Sequence, residues 1–230
     1  MTWILFILGA YLIGSIPFGV LIARAKGVDI REHGSGNIGA TNVGRVLGRR
    51  LGIACFLLDA GKGAAPVLIA GNMHGLLGEE AMSIVPRESW GWIAVAMAAL
   101  VGHMASIFLR FKGGKGVATA FGALLAIWPM LGLPALLALA AWILTMAFVR
   151  IVSVASMIAA IALPVVTIWM LWSPSVPLEL TPSEAFSRQL PALTISILIA
   201  ALVLWRHRSN FKRIIEGTEE RVGRQSTDST

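Results

Sequence analysis

A glycine-rich, twice-basic segment at residues 111–119 reads FKGGKGVAT and directly precedes an apolar stretch. Glycines let backbone N–H groups approach an anion, and a helix that begins near Val117 would point its positive end at the same place. Lys112 and Lys115 add two full positive charges. The segment therefore has the composition of a phosphate-binding turn. A basic turn that only meets lipid headgroups would have the same composition, so both interpretations stay open on this segment alone.

This turn differs from the P-loop of nucleoside triphosphatases. In the P-loop a Ser or Thr directly follows the lysine and holds magnesium. Here Gly116 and Val117 follow Lys115, so the sequence disfavours a nucleoside triphosphatase. The four histidines are scattered, without a Cys/His pair at ligand spacing, so we expect no metal and no cofactor.

A second polar cluster occupies residues 34–45 and reads GSGNIGATNVGR. Its four glycines let the backbone fold tightly, and no acidic residue occurs up to Arg50. The cluster supplies hydroxyl, amide and guanidinium donors from Ser35, Asn37, Thr41, Asn42 and Arg45. Such a set suits an anion or a polyol, and an ordinary flexible loop is the alternative.

Two further polar clusters lie beside apolar segments. One has residues at every third position, which would share a helix face, namely Arg150, Ser153 and Ser156. Ser153 is the better ligand of the two serines, because it is nearer the arginine. The other cluster, at 205–219, is basic, as expected where a membrane helix stops. His207 and Asn210 stand three residues apart within it and indicate a site.

Three charged residues are expected to support the site. Asp59 and Lys62 lie three residues apart inside an apolar segment, where charges are costly. They are interpreted as an ion pair that fixes helix packing, with the alternative that Lys62 points at the same anion as the loops. Glu216 is the only acid between Arg206 and Thr218, and we expect it to order the basic strip.

The elements that must position these clusters are membrane helices. The chain has 230 residues, of which 57% are hydrophobic and 13% are charged. Apolar segments fall at roughly 3–25, 51–71, 89–109, 117–131, 133–149, 151–172 and 190–205, several of them close to the ~20 residues that span a bilayer. The sequence predicts an all-α membrane protein, a single-domain polytopic bundle of about seven transmembrane helices over 1–230. A count of five, with 117–149 as one re-entrant hairpin, is the alternative.

The positive charges predict the orientation of the bundle. Sixteen of the nineteen Lys and Arg residues fall in alternate segments, which the positive-inside rule places in the cytoplasm. The loops 72–88 and 173–189 and the N-terminus are then outside, and the C-terminus is cytoplasmic. This topology accounts for the net charge of +7, so a nucleic-acid partner is unnecessary.

Together and in this order, the clusters resemble the bacterial membrane glycerol-3-phosphate acyltransferases that use acyl phosphate, the PlsY family. The similarity rests on residues 34–42 with Arg45, on residues 58–59 and 62–63, on residues 113–119, and on His207 with Asn210 and Glu216. It implies a bundle of seven helices in the bacterial cytoplasmic (inner) membrane, whose cytoplasmic clusters converge on one active site.

The resemblance also implies roles for individual residues. The catalytic residues would be Ser35, Arg45, Lys115 and His207. The substrate-binding residues would be Asn37, Thr41, Lys112, Gly113, Gly114, Gly116, Ser153 and Asn210. Asp59, Lys62 and Glu216 would be supporting residues. The implied partners are acyl phosphate, glycerol 3-phosphate and membrane lipid, with no obligate protein partner.

The implied chemistry brings two anions together, so positive charge would be the main catalytic resource. The product would be 1-acylglycerol 3-phosphate (lysophosphatidic acid), made in phospholipid synthesis. Either His207 or the departing phosphate takes the hydroxyl proton; we favour the phosphate, because His207 lies among basic residues. We expect the glycine turn to hold the donor phosphate, with Ser35, His207 and Asn210 nearer the glycerol. A membrane transporter for a phosphorylated anion is the alternative function.

Overall fold

The computed structural model describes residues 2–171 and 180–222. Part of the predicted outer loop, 173–179, and the end of the polar tail, from 223 on, lie outside these residues. Every regular element of the described chain is helical. The ten α-helices are α1 (Thr2–Gly14), α2 (Phe18–Arg24), α3 (Ala40–Leu47), α4 (Arg49–Met73), α5 (Pro86–Met104), α6 (Val117–Ala126), α7 (Gly132–Val149), α8 (Val152–Leu171), α9 (Pro182–Arg206) and α10 (Arg208–Ile215).

The predicted all-α membrane class is confirmed. Within the described residues, six helical segments are long and apolar enough to cross a membrane: Trp3–Arg24, Arg49–Met73, Pro86–Leu109, Gly132–Val149, Val152–Met170 and Pro182–Arg206. The predicted segment at 117–131 contributes only α6, with 10 residues. At 1.5 Å per residue, α6 spans about half of a hydrocarbon core that is about 30 Å thick.

Glycines bring pairs of helices into close contact, as is typical of membrane bundles. On α4, a Cβ added at Gly63 would lie 2.2 Å from the carbonyl oxygen of Thr119 on α6. From α6, a Cβ at Gly122 would lie 2.0 Å from the carbonyl oxygen of Ala60. Only a residue without a side chain lets these backbones approach so closely, and α6 is thereby held against α4.

The break between α1 and α2 explains the buried charges. Residues 15–17 interrupt the helical hydrogen bonding ahead of α2, and two side chains from elsewhere bond the carbonyls there. Lys62 Nζ donates to the carbonyl oxygen of Ile16 at 2.6 Å, and Ser106 Oγ donates to that of Ser15 at 2.6 Å. Asp59 lies 2.9 Å from Lys62 Nζ, and both residues are buried. Lys62 of this ion pair therefore contacts the backbone between α1 and α2.

The loops separate onto two ends of the bundle. At one end, the backbone N–H of Gly78, after α4, donates to the carbonyl oxygen of Trp128, after α6. At the other end, the N–H of Val222 donates to the carbonyl oxygen of Arg150, and Arg45 pairs with Glu220. The second end thus gathers the polar clusters that precede α3, α6 and α8 and that follow α9.

Candidate active site

A cleft opens at the end of the bundle where the basic segments meet. It consists of two adjoining cavities of about 270 and 360 Å³, whose walls share Asn37, Lys115 and Ser209. Among the described residues, the remaining walls are Arg206 and Arg208 in the smaller cavity and Arg31, Ser35, Gly36, Ile38, Lys112, Gly113 and Arg213 in the larger. In the part of the chain that the structure describes, basic side chains dominate this lining and no acidic side chain belongs to it, so the cleft favours an anion.

The buried side chain of Asn42 organises the loop that carries Ser35. Asn42 Oδ1 accepts from the backbone N–H of Ser35 at 2.9 Å and from Arg45 Nη1 at 3.2 Å. Its Nδ2 donates to the carbonyl oxygens of Ile30 at 3.2 Å and His33 at 2.9 Å. Asn42 therefore holds the loop in one shape, while the exposed Ser35 side chain lines the cleft.

The glycine turn packs against the end of α5. The N–H groups of Gly113 and Gly114 donate to the carbonyl oxygens of Met104 and His103, both at 3.1 Å. The expectation that glycine N–H groups face an anion is therefore wrong for these two residues. A Cβ at Gly113 would lie 2.0 Å from the carbonyl oxygen of His103, so glycine is required here for close backbone contact. The predicted helix after the turn is confirmed, because α6 begins at Val117.

The side chain of Lys115 begins a series of hydrogen bonds that leads through Asn210 to Glu219. Lys115 Nζ donates to Asn210 Oδ1 at 2.5 Å, and Asn210 Nδ2 donates to Glu219 Oε1 at 2.6 Å. Ser153 Oγ also donates to Glu219 Oε1, at 2.6 Å, and Arg213 Nε donates to Oε2 at 2.7 Å. The carboxylate of Glu219 thus connects Ser153 of α8 with Asn210 and Arg213 of α10 and, through Asn210, with Lys115 of the glycine turn.

Burial affects the pKa values of Lys115 and Glu219, the two titratable ends of this series of contacts. It lowers the pKa of Lys115 to about 8, although the negative charge of Glu219 opposes the shift. Burial by itself would raise the pKa of Glu219, but hydrogen bonds from Ser153, Asn210 and Arg213 leave it below its ordinary value. Lys115 is therefore charged at neutral pH and loses its charge in the mildly alkaline range.

His207 forms the buried corner between α9 and α10. Its Nδ1 lies 2.8 Å from the carbonyl oxygen of Val203, which can only accept, so Nδ1 carries the proton. Nε2 is then the ring atom that is left to accept a hydrogen bond. Burial, followed by the positive charge of Lys115, lowers the pKa of His207 to about 4. The imidazole is therefore neutral at physiological pH and is a weak base.

The cluster at the start of α8 differs from its predicted form. Arg150 ends α7 in the left-handed conformation, with φ of 59°, and α8 begins two residues later. The expectation that Arg150 shares a helix face with Ser153 and Ser156 is therefore wrong. Ser156 Oγ donates to the carbonyl oxygen of Val152 at 2.9 Å, which is a local helix contact, whereas Ser153 reaches Glu219.

Several predicted residues lie outside the cleft walls. Thr41 is exposed on α3, and Gly114 and Gly116 are buried behind the turn. Glu216 contacts Lys212 at 3.8 Å on the surface, and Asp59 and Lys62 lie deeper in the bundle. The structure brings Ser35, Asn37, Lys112, Gly113 and Lys115 into the walls of the larger cavity. Arg45, Ser153, His207 and Asn210 are not among the wall residues; Asn210 contacts the wall residue Lys115, and Ser153 contacts Glu219.

Glu219 belongs to the contacts of the site, although its position in the sequence does not indicate this. Three acidic residues, at 216, 219 and 220, follow α10 in similar surroundings. Their spacing does not indicate which of them belongs to the site. It is Glu219 that accepts from Ser153 and Asn210, whereas Glu220 pairs with Arg45 at 2.6 Å. The one weak indication in the sequence is that a carboxylate beside a basic segment has many possible hydrogen-bond donors.

Comparisons with known proteins identify the family of the chain. The sequence matches the family described as glycerol-3-phosphate acyltransferase over residues 4–217. It is 45% identical to such an enzyme of Geotalea daltonii, over 94% of this chain and 95% of that protein. It is 41% identical to that of Desulforamulus reducens, over 99% of this chain and 98% of that protein.

Solved structures show the same fold. The crystal structure of PlsY (YgiH), an integral membrane glycerol 3-phosphate acyltransferase, in its glycerol 3-phosphate form is 37% identical, with a TM-score of 0.79. The lysophosphatidic acid form is 36% identical, with a TM-score of 0.77. Both alignments cover 97% of this chain and 96% of the solved chain. By sequence and by fold, the chain belongs to the glycerol-3-phosphate acyltransferase family.

Proposed function

We propose that this glycerol-3-phosphate acyltransferase takes its acyl group from acyl phosphate and transfers it to the 1-hydroxyl of glycerol 3-phosphate. The products are 1-acylglycerol 3-phosphate and inorganic phosphate. The observation that carries the proposal is the basic cleft around Lys115, which has two adjoining cavities and therefore room for two anionic groups. The related PlsY structures, with glycerol 3-phosphate and with lysophosphatidic acid, support the acceptor and the product.

The surface beside the cleft supports a lipid-like donor. Ile107, Phe108 and Phe111 are 49%, 60% and 64% exposed, and they directly precede Lys112 and Gly113 in the cleft wall. An acyl phosphate has an apolar chain that favours lipid and a phosphate that favours cations. The acyl chain of the donor would lie along these exposed apolar residues. The donor phosphate would lie near Lys115 and the positive end of α6.

The acceptor would occupy the other side of the cleft, near Ser35, His207 and Asn210. Positive charge from Lys115 and Arg45 would reduce the repulsion between two phosphates, and a fixed geometry would supply proximity. Arg45 now pairs with Glu220 at 2.6 Å, a contact at the surface that an incoming phosphate would replace. Ser35 would act as a hydrogen-bond donor without forming an acyl intermediate.

We place the N-terminus outside and the cleft on the cytoplasmic face of the bacterial inner membrane, with seven passages between the two ends of the bundle. The contact between Gly78 and Trp128 supports this count, because α6 and the following turn run from the cleft end to the opposite end. The cleft end carries most of the basic residues, which favours the cytoplasmic side.

A transporter for a phosphorylated anion would need polar groups near the midplane that both sides can reach. In the described chain, the clustered donors gather at one end, and the buried Lys62 is bonded to Asp59 and to the carbonyl of Ile16. The test is to incubate the purified protein with acyl phosphate and glycerol 3-phosphate. We expect 1-acylglycerol 3-phosphate and free phosphate in equal amounts. Turnover only with an acyl thioester would reject the proposed donor, and uptake without turnover would favour the transporter.

His207→Gln tests which group takes the proton. With a pKa near 4, His207 is a weak base at neutral pH, so we propose that the donor phosphate accepts the proton and that His207 orients the glycerol. We expect the variant to lose no more than about tenfold in kcat, since removing a true general base costs about 100-fold or more. The measurement is kcat and both KM values from pH 5.5 to 8. A loss above 100-fold with unchanged KM values would show that His207 is the base.

A further inference from the structure

Arg206, the last residue of α9, reaches across to the glycine turn. Its Nη2 donates to the carbonyl oxygen of Gly113 at 2.9 Å and to that of Gly114 at 2.6 Å. One guanidinium nitrogen thus bonds two consecutive peptide groups. A contact of this kind restricts the orientation of both peptide planes, because planar guanidinium groups bond in fixed directions.

The turn is held from both sides as a result. The N–H groups of Gly113 and Gly114 donate to the end of α5, and their carbonyl oxygens accept from Arg206 at the end of α9. Both backbone groups of each glycine are therefore bonded. Lys115 is the next residue, so the place and direction of its backbone follow from these four contacts.

Arg206 also connects the turn to the second half of the site. It directly precedes His207 and lies four residues before Asn210, which accepts the hydrogen bond from Lys115 Nζ at 2.5 Å. The bonds of Arg206 therefore set the separation between the glycine turn and the corner of α9 and α10. Both Arg206 and Arg208 lie over the ring of Trp205, at 5.8 and 4.7 Å from its centroid, but Arg208 donates its hydrogen bond to the carbonyl oxygen of Trp205 and not to the glycine turn.

We infer that Arg206 is a positioning residue for acyl transfer, which locks the glycine turn onto the corner of α9 and α10 so that Lys115 meets the reacting phosphate. A positive charge that only stops a membrane helix needs no fixed partner, whereas Arg206 has two. The inference rests on the proposed function, because it assigns Lys115 to the phosphate.

The test compares Arg206→Gln with Lys212→Gln, which removes one positive charge from the exposed side of α10. We expect Arg206→Gln to lower kcat by about tenfold to thirtyfold with little change in either KM, because a displaced lysine stabilises charge less well. We expect Lys212→Gln to keep the parent values. In parallel, labelling of Lys115 by an amine-reactive reagent is measured by mass spectrometry, with Lys112 as the reference in the same turn. Lys115 should react several-fold faster in Arg206→Gln.

The labelling needs no turnover, so it still reports on Arg206 if the proposed donor is wrong. A raised KM with unchanged kcat would show that Arg206 binds substrate directly, and parent kcat with parent labelling would show that it positions nothing. Should Arg206→Gln not fold in detergent, Arg206→Lys decides the question. Its ammonium sits on a side chain one bond shorter, so intermediate kcat and labelling are expected. Parent values in Arg206→Lys would overturn the inference.

Discussion

Replacing Lys115 by methionine should lower kcat/KM by about 100-fold to 1000-fold, the loss found when a preorganised donor to developing charge is removed. Methionine has a similar length and no charge. It also leaves Asn210 Oδ1 without the donor that now lies 2.5 Å away. The measurement is the initial rate of phosphate release from acyl phosphate at varied glycerol 3-phosphate.

Lys112→Met is the matched comparison, because Lys112 belongs to the same turn but is exposed. We expect it to cost no more than about tenfold, mainly in KM, as an exposed charge acts through a high dielectric. The pH dependence gives a second check. The pKa of Lys115 is lowered to about 8, so its charge is present below that value and is lost as the pH rises through it. Activity should fall over this range, and equal losses in both variants would contradict the assignment.

Gly113→Ala should reduce activity by about 100-fold, because a misplacement of about 1 Å at a catalytic group costs that much. The new Cβ would lie 2.0 Å from the carbonyl oxygen of His103 and 2.7 Å from that of Met104. These are backbone atoms at the end of α5, so the turn must move and Lys115 must move with it. Activity and thermal unfolding in detergent should be measured on the same preparation.

Gly61→Ala is the control for this substitution. A Cβ at Gly61, on α4, would meet no heavy atom within 4 Å apart from the adjacent backbone of its own helix, so the variant should keep parent activity. Gly113→Ala should unfold within a few degrees of the parent while losing turnover, because the contact is confined to one turn. Parent activity in Gly113→Ala would show that the close contact between the turn and α5 does not position Lys115.

Local features of the fold can be predicted from the sequence alone. The apolar segments and the alternation of basic loops predict membrane helices and an orientation, since each depends on composition over about 20 residues. The helix after the glycine turn follows from the same kind of local pattern and is confirmed at Val117. The sequence does not show the break at Pro17, nor that the helix in the short predicted segment 117–131 ends after 10 residues, because an apolar composition does not report where helical hydrogen bonding stops.

The direction of the glycine N–H groups could not be predicted. Gly113 and Gly114 have the composition of an anion cradle, yet both donate to the end of α5. A glycine accommodates a ligand or another backbone equally well, because in both cases the requirement is the absence of a Cβ. Sequence alone does not show which of the two approaches it.

By itself, the sequence determined that this is a helical membrane protein with its polar clusters at one end, and which family it resembles. These properties follow from hydropathy, charge and motif spacing along neighbouring residues. Only the tertiary structure decided which side chains meet: Lys115 with Asn210, 95 positions away, Ser153 with Glu219, 66 positions away, and Arg206 with the glycine carbonyls, 92 and 93 positions away. The physical reason is that helix packing sets these contacts. The residues that flank a side chain in the sequence do not indicate which distant residues it will meet.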